Sequence, residues 1–378
     1  MLVLCNAVSG SKQLRTGTIF SSHIKPFCMR LLSIPAAMYR AMMALRATMY
    51  TRGFFPAWRP PRPCISVGNL RWGGSGKTPV CAWLLAWAGK RNRQCALLTR
   101  GYRARPPHLP FHVKPDALPQ EAGDEPLLLA RTFPASKIVV DPKRSRSGKW
   151  AWASWKPDLF LLDDGLQHMA VARDINLVLL TLPDLENDWN KVVPSGPWRE
   201  GPSALSRADA YLIKLPDPVM ATPSLQKTIV TRLGEYAKPT FFFGPQPMGL
   251  TNLRTGEHRS NLPAQAAGRY TLFSGVADPL SVEHTATNFL GGRPARFDVF
   301  ADHASYSAAR IAQLARNAAA AHANHLVCTA KDAVKVHGVL PSEQDPQWWS
   351  LDMTVWFAPF SDAGPRFEDW LEQRIAQA

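Results

Sequence analysis

The first third of this 378-residue chain contains no acidic residue. Asp116 is the first carboxylate, and the 115 residues before it carry 18 of the 44 lysines and arginines. The remainder of the chain, with 26 basic and 29 acidic residues, is close to neutral, although the whole protein has a formal charge of +15. A basic front segment without counter-charges indicates contact with a polyanionic surface, either nucleic acid or a membrane.

Paired cysteines and long apolar runs are also missing. The six cysteines form no Cys-x-x-Cys pair and have no histidine-rich surroundings, which argues against a disulfide framework or a zinc site and indicates reduced thiols in the cytosol. No apolar run reaches the roughly 18 residues of a membrane-spanning helix, and no signal-peptide pattern follows Met1. The hydrophobic content of 46% is that of a globular protein with a large core.

The basic front segment divides into two parts. Residues 1–28 are polar and irregular, and we interpret them as an extension outside the core; whether translation starts at Met1 or at Met29 stays open. Residues 29–62 combine a helical pattern over 31–50 with a proline-rich linker. The helix has one apolar side rich in methionine and leucine and a polar side that is purely basic. Such a helix either lies in the membrane interface, with arginines at lipid phosphates, or packs on the protein; the missing acids favour the interface.

From residue 63 onward, short apolar segments alternate with helical ones. Apolar runs of this length between helices predict a parallel sheet covered on both faces, and therefore an α/β fold. The predicted strands are 64–67, 94–99, 137–141, 158–162, 175–181, 210–214, 240–243, 270–273, 297–300 and 326–329. The predicted helices are 78–88, 125–132, 223–235, 280–289, 307–321 and 366–376. Because the alternation restarts near residue 270, we expect a first domain over 63–243 and a second, smaller α/β domain over 244–378.

A glycine-rich loop lies between the first predicted strand and its helix. In such a loop the backbone N–H groups converge on phosphate oxygens, a lysine reaches the β- and γ-phosphates, and a hydroxyl binds Mg²⁺. The glycine that usually lies five places before Gly76 is Arg71. The pattern predicts a P-loop NTPase-like first domain with ATP and Mg²⁺ as cofactors. The phosphate-binding residues would be Gly73, Gly74, Ser75, Gly76, Lys77 and Thr78.

Two pairs of acids are candidates for the chemistry around this loop. Asp163 and Asp164 follow an apolar strand, where carboxylates can hold Mg²⁺ beside nucleotide phosphates. Asp124 and Glu125 begin a helix, where acids either stabilise the N-terminus or serve as base and metal ligand. An isolated aspartate is a weak base, which a nearby histidine can orient, and His303 is the candidate partner.

Several motifs in a fixed order give the chain a family resemblance. They are Val67-Gly68-Asn69, the Gly73–Pro79 loop, Thr99-Arg100-Gly101-Tyr102, Gly123-Asp124-Glu125-Pro126, Leu162-Asp163-Asp164-Gly165-Leu166-Gln167-His168, Arg173-Asp174, Pro194-Ser195-Gly196-Pro197-Trp198-Arg199-Glu200, Asp302-His303 and Thr329-Ala330-Lys331-Asp332-Ala333-Val334. With these residues the chain closely resembles the tetraacyldisaccharide 4′-kinase (lipid A 4′-kinase) family over about residues 31–336.

The resemblance implies a kinase that moves the γ-phosphate of ATP to the 4′-hydroxyl of the tetraacyldisaccharide 1-phosphate precursor of lipid A. It implies a peripheral enzyme at the cytoplasmic face of the bacterial inner membrane, with its active site in a cleft over which the second domain closes. Asp124 would be the base, partnered by His303, and Lys77 and Arg199 would also be catalytic. Thr78, Glu125, Asp163 and Asp164 would surround the metal, and Gln167, His168 and Glu200 would line the same site.

Two other functions share parts of this pattern. A P-loop GTPase or metallochaperone carries the same loop, and Thr329-Ala330-Lys331-Asp332 has the letters of a guanine-reading element. A nucleic-acid-binding ATPase would account for the basic front third. There, however, the basic residues alternate with a Met/Leu stripe and form no dense run with stacking aromatics, so we expect an anionic lipid surface, no nucleic acid and no obligate protein partner.

Overall fold

One continuous sheet runs through the part of the chain that the computed structural model describes, namely residues 26–262, 269–341 and 346–378. Its thirteen strands are β1 (Cys64–Asn69), β2 (Cys95–Thr99), β3 (Phe111–Val113), β4 (Lys137–Val140), β5 (Leu159–Asp163), β6 (Ile175–Thr181), β7 (Ala210–Lys214), β8 (Thr240–Asn252), β9 (His258–Arg259), β10 (Tyr270–Ser274), β11 (Arg296–Val299), β12 (His325–Thr329) and β13 (Gln347–Pro359).

The helices alternate with these strands. They are α1 (Pro26–Thr51), α2 (Lys77–Lys90), α3 (Pro119–Ala122), α4 (Asp124–Thr132), α5 (Arg144–Trp155), α6 (Leu182–Leu185), α7 (Pro223–Leu233), α8 (Pro279–Leu290), α9 (Ala308–Ala320), α10 (Ala330–Val336) and α11 (Phe367–Ala376). Short 3₁₀ turns occupy Pro202–Arg207, Pro218–Met220, Gly234–Tyr236 and His337–Val339.

The strand order is β11-β10-β12-β13-β8-β7-β6-β1-β5-β2-β4-β3, with β9 beside β8. Every pair is parallel except β13–β8, β8–β9 and β3–β4. We call β1–β7 with α2–α7 the first lobe, and β10–β12 with α8–α10 the second lobe. In the first lobe α2 and α4 pack on one face of the sheet, and α5 and α7 on the other. The predicted α/β class with a mostly parallel sheet and helices on both faces is therefore confirmed.

The two lobes are joined by the long antiparallel pair β8–β13. Phe241 pairs with Pro359 at one end and Asn252 with Trp349 at the other. The boundary expected between residues 243 and 244 falls inside β8. After β13 the chain returns to the first lobe, where α11 packs against Phe241 and Trp83 through Phe367. The closing helix, expected within the second domain, thus completes the core of the first lobe.

Helix α1 lies against the first lobe with few buried contacts. Among its side chains from residue 32 onward only Ala36 is fully buried. Arg40 donates to Asn190 Oδ1 at 3.2 Å and Arg46 to the carbonyl oxygen of Gln167 at 3.1 Å. On the opposite side is an outer stripe at helical spacing, more than half exposed in each case: Ile34, Met38, Met42 and Leu45.

Two of the predictions made for the front segment can be compared with helix α1. It begins at Pro26, three residues inside the expected extension, and residues 1–25 lie outside the described part. Within the described ranges, none of the helices combines the length and hydrophobicity that crossing a bilayer requires.

Candidate active site

The glycine-rich loop leaves the carboxyl end of the central strand β1 and enters α2. Gly73 and Gly76 have φ values of 93° and 91°, in the left-handed region where glycine is favoured. A side chain at Gly76 would also come within 3.0 Å of the Phe243 ring. Arg71, in the place of the usual glycine, donates to Thr181 Oγ1 at 2.7 Å and lies 3.3 Å from Asp184. The loop is thus anchored by side-chain contacts where a glycine is usual.

The loop lysine and a strand-end asparagine meet in front of β1. Lys77 donates to Asn69 Oδ1 at 3.1 Å, and Asn69 Nδ2 donates to Ser75 Oγ at 2.7 Å. Lys77 Nζ also lies 3.5 Å from Asp164 Oδ1. Asn69 therefore orients both the lysine and the loop, a role that the motif containing it did not reveal.

Asp163 and Asp164 lie at the end of β5, next to β1, and have opposite electrostatic surroundings. Burial, together with the nearby negative charges of Glu125 and Asp164, raises the pKa of Asp163 to about 6, although Thr99 Oγ1 donates to it at 2.8 Å. Burial alone would raise the pKa of Asp164 too. Hydrogen bonds from Arg199 and the charge of Lys77 instead hold the pKa of Asp164 well below its usual range.

Arg199 binds Asp164 through both ends of its guanidinium. Nη1 and Nη2 each donate to one carboxylate oxygen at 2.7 Å, a bidentate pair. Nη2 also donates to the carbonyl oxygen of Asn69 at 3.0 Å. The sequence-predicted Arg199 therefore lies within the same cluster as Lys77 and Asp164.

Thr78 and Glu125 connect the loop to the start of α4. Thr78 Oγ1 donates to Glu125 Oε2 at 2.7 Å. Among the described residues, no group of three or more histidine, cysteine or acidic side chains is close enough to hold a metal ion by itself. Kinases usually bind Mg²⁺ through one or two carboxylates together with substrate phosphates, and need no all-protein cage. The negative charges of Asp163, Glu125 and Asp164 repel one another, and this repulsion contributes to the raised pKa of Asp163. A divalent cation bound among them would offset it.

Asp124 and His303 meet where the first and second lobes come into contact. Asp124 is the first residue of α4 in the first lobe, and His303 follows β11 in the second lobe. His303 Nδ1 lies 3.0 Å from Asp124 Oδ2, and both side chains are about 15% exposed, with values of 15% and 14%. The His303 backbone has a φ of 61°, and the Tyr102 ring lies 5.5 Å from the imidazole. Residues 179 positions apart are thus brought into the contact that the motifs predicted.

Helix α10 adds two lysines that sequence reasoning left without a role. Lys331 Nζ lies 3.3 Å from Glu125 Oε1 and 3.2 Å from Asp302 Oδ1. Lys335 Nζ lies 3.7 Å from Asp124 Oδ2. The Thr329–Val334 motif marked this segment, but no local pattern tells which acids its lysines face.

Asp332, in the same motif, is fully buried. It accepts hydrogen bonds from Tyr306 at 2.8 Å, from Thr329 Oγ1 at 2.7 Å and from the backbone N–H of Gly275 at 3.1 Å. A carboxylate with these partners holds β10, β12 and α10 together and is not available to bind a guanine ring. The geometry thus counts against reading this motif as a guanine-recognition element.

Three further residues predicted to line the site differ in their surroundings. Gln167 donates to the carbonyl oxygen of Asn69 at 3.1 Å and so lies beside the loop. Burial, together with Arg144 and Arg173, lowers the pKa of His168 to about 4, so its ring is neutral at pH 7. Glu200 is 2% exposed and accepts from Arg207 at 2.8 Å with both oxygens, a buried ion pair.

The assembled cluster places a phosphate-binding loop next to a carboxylate–histidine pair, because Glu125, the neighbour of Asp124, contacts Thr78 of the loop. Such an arrangement can hold a polyphosphate at the helix N-terminus and accept a proton from a hydroxyl brought to Asp124.

Comparison with known proteins finds similar sequences over nearly the whole chain. The model of the family described as tetraacyldisaccharide-1-P 4′-kinase matches residues 28–376. The chain is 44% identical over 356 residues to a tetraacyldisaccharide 4′-kinase of Oleidesulfovibrio alaskensis, covering 92% of this chain and 96% of that one. It is 41% identical over 357 residues to the enzyme of that name from Nitratidesulfovibrio vulgaris, covering 94% and 96%.

A solved structure agrees in fold. The crystal structure of LpxK from Aquifex aeolicus in complex with ATP has a TM-score of 0.67 to this chain and is 26% identical to it. The match covers 92% of this chain and 98% of the other.

Proposed function

Because the chain belongs to the tetraacyldisaccharide 4′-kinase family, we propose that it transfers the γ-phosphate of ATP to the 4′-hydroxyl of the tetraacyldisaccharide 1-phosphate precursor in lipid A biosynthesis. The family membership and the ATP in the related LpxK structure support the substrate and the nucleotide. The observation that carries the mechanism is the contact of Asp124 with His303 beside the phosphate-binding loop. The loop is linked to the helix that begins at Asp124 through Thr78 and Glu125.

In the proposed reaction Asp124 is the base. His303 occupies Asp124 Oδ2, so Oδ1 is the oxygen that takes the proton of the 4′-hydroxyl. The hydroxyl oxygen forms a bond to the γ-phosphorus as the bond from that phosphorus to the bridging oxygen breaks, and ADP leaves with the electron pair. The proton is later released from Asp124 to solvent.

The phosphate side of the reaction belongs to the loop and its cations. Lys77, held by Asn69, would contact the β- and γ-phosphates, and the backbone N–H groups of residues 73–78 would surround the phosphate chain. Arg199 would offset charge that develops during transfer. Thr78, Glu125, Asp163 and Asp164 would hold Mg²⁺, which when bound neutralises charge on the phosphate oxygens.

We further propose that α1 attaches the enzyme to the cytoplasmic face of the inner membrane. The outer stripe of α1 presents apolar side chains away from the protein, and basic residues flank it without any acid before Asp116. A helix of this kind buries its apolar side among acyl chains while its arginines contact anionic headgroups. This arrangement would bring a glycolipid substrate to the cleft without removing it from the bilayer.

The test is transfer of ³²P from γ-labelled ATP to the disaccharide lipid in mixed micelles with Mg²⁺, with GTP and RNA as competing ligands. Wild-type protein is expected to label the lipid, and Lys77→Ala to abolish labelling without unfolding. Lys90→Ala, at the exposed far end of the same helix, is the matched control and should retain activity. Labelling by the Lys77 variant at the wild-type rate would refute the proposed role of the loop. Preference for GTP, or inhibition by RNA, would favour the other classes.

A further inference from the structure

Helix α10 presents two lysines, one turn apart, to the Asp124–His303 pair. Lys331 Nζ lies 3.3 Å from His303 Nε2, and Lys335 Nζ lies 3.7 Å from Asp124 Oδ2. The side chains of Lys331 and Lys335 are 17% and 8% exposed. The proposed transfer reaction assigns neither lysine a task.

The chemistry of the ammonium group decides how the proton on His303 is placed. A lysine ammonium has three donors and no acceptor, so it can hydrogen-bond only a ring nitrogen that carries a lone pair. A hydrogen bond from Lys331 to Nε2, across the observed 3.3 Å, requires Nε2 to be the unprotonated nitrogen. The ring proton is then on Nδ1, which lies 3.0 Å from Asp124 Oδ2 and donates to it.

The other groups around the His303 ring do not by themselves place its proton on Nδ1. Asp302 Oδ2 lies 3.8 Å from Nε2 and would favour a proton there, and the Tyr102 ring packs beside the imidazole without bonding to either nitrogen. Lys331 disfavours a proton on Nε2 in two ways. It lies within hydrogen-bonding distance of Nε2 itself, and it lies 3.2 Å from Asp302 Oδ1, the carboxylate that would accept such a proton.

We propose that Lys331 is a positioning residue that holds His303 in its neutral, Nδ1-protonated tautomer. This inference rests on the proposed kinase function. In that tautomer the imidazole donates to Asp124 Oδ2 and leaves Oδ1 free for the substrate hydroxyl. Without Lys331 the ring can carry its proton on Nε2 and donate to Asp302, and Asp124 then loses the contact that orients it.

The test is ¹⁵N NMR of the full-length protein labelled at histidine, with the His303 signals assigned by comparison with His303→Gln. Wild-type His303 is expected to show a protonated Nδ1 and an unprotonated Nε2. In Lys331→Met the Nε2-protonated or doubly protonated ring should appear, and kcat should fall roughly tenfold or more while KM for ATP changes little. Lys331→Arg keeps a cation that can only donate, and it should retain the wild-type tautomer and most of kcat. Lys227→Met, at an exposed position on α7, is the control and should match wild type.

Two results would overturn the proposal. One is a wild-type His303 that is protonated on Nε2; the other is a Lys331→Met variant with the wild-type tautomer and wild-type kcat. If Lys331→Met does not fold, the wild-type spectrum still decides the question, because a proton on Nε2 would overturn the proposal. If wild type transfers no phosphate to the lipid, the proposed function fails, whereas the NMR result reports on the tautomer independently of turnover.

Discussion

Replacing Asp163 with asparagine should make the protein more stable at neutral pH. Burial and two neighbouring acids raise the pKa of Asp163 from 3.8 to about 6 in the folded state. A carboxyl group whose pKa is raised by folding stabilises the fold while it is protonated, and that stability is lost as the pH rises from about 4 through 6. At pH 7.5 the shift in the pKa of Asp163 from 3.8 to about 6 lowers the free energy of unfolding of wild type by about 3 kcal/mol. Because Asp163 is partly exposed, we expect the substitution to raise the free energy of unfolding by about 2–3 kcal/mol.

Asparagine suits this site because it keeps the shape of the side chain. Thr99 Oγ1, which donates to Asp163 at 2.8 Å, can donate equally to an amide oxygen. The measurement is urea unfolding followed by tryptophan fluorescence, without nucleotide and with EDTA, at pH 7.5 and at pH 4. The stabilisation should be about 2–3 kcal/mol at pH 7.5 and shrink to about 0.5 kcal/mol at pH 4, where the wild-type carboxyl group is protonated in the folded protein.

Asp164→Asn is the matched control, since the neighbouring carboxylate has the opposite shift. Arg199 and Lys77 hold the pKa of Asp164 below its usual range, so its charge stabilises the fold at neutral pH and that stability is lost in acid. The Asp164 variant should therefore be less stable than wild type at pH 7.5. A loss of stability in Asp163→Asn at pH 7.5, or an equal gain at both pH values, would refute the reasoning. Both variants should lose phosphate transfer, because each removes a carboxylate proposed to hold Mg²⁺, and only at Asp163 do stability and activity make opposite demands.

Two other predictions concern the dyad and the membrane. Asp124→Ala and His303→Ala should be non-additive in kcat, since each variant already breaks the 3.0 Å contact; fully additive losses would assign the residues separate roles. Replacing the outer stripe of α1 by serine should reduce flotation with anionic vesicles at least tenfold without changing thermal unfolding, because those side chains are exposed. Unchanged flotation would show that another surface attaches the protein to lipid.

The sequence predicted the parallel part of the sheet because buried parallel strands are short and uniformly apolar. It missed most of β8, whose Pro245 and Pro247 normally argue against a strand. They are tolerated because this part of β8 pairs only with β13 and has no second neighbour. It also missed α5, in which a weak helical pattern surrounds Gly148. The Trp58 ring lies 2.0 Å from where a Cβ at that glycine would be. Packing against Trp58, and not local helix propensity, therefore determines that this segment is helical.

The candidate site could be predicted where a motif carries its own chemistry, as in the loop and in the strand-end acids. The contact between the two lobes could be predicted only through the family resemblance, because nothing local links Asp124 to a histidine 179 positions away. The partners of Lys331 could not be predicted, since they depend on how α10 meets α4. A lysine on a short helix is by itself no signal of a catalytic neighbourhood.

The return of the chain through β13 and α11 affects how the protein emerges from the ribosome. Domains generally fold as units, the N-terminal one first, during synthesis. Here the first lobe lacks Phe367, Trp370 and Leu371 until α11 is made, although these side chains belong to its core. The second lobe, by contrast, is synthesised in one stretch. The nascent first lobe thus exposes an apolar face of its sheet throughout the synthesis of the second, and a chain truncated before α11 lacks part of the core of its nucleotide-binding lobe.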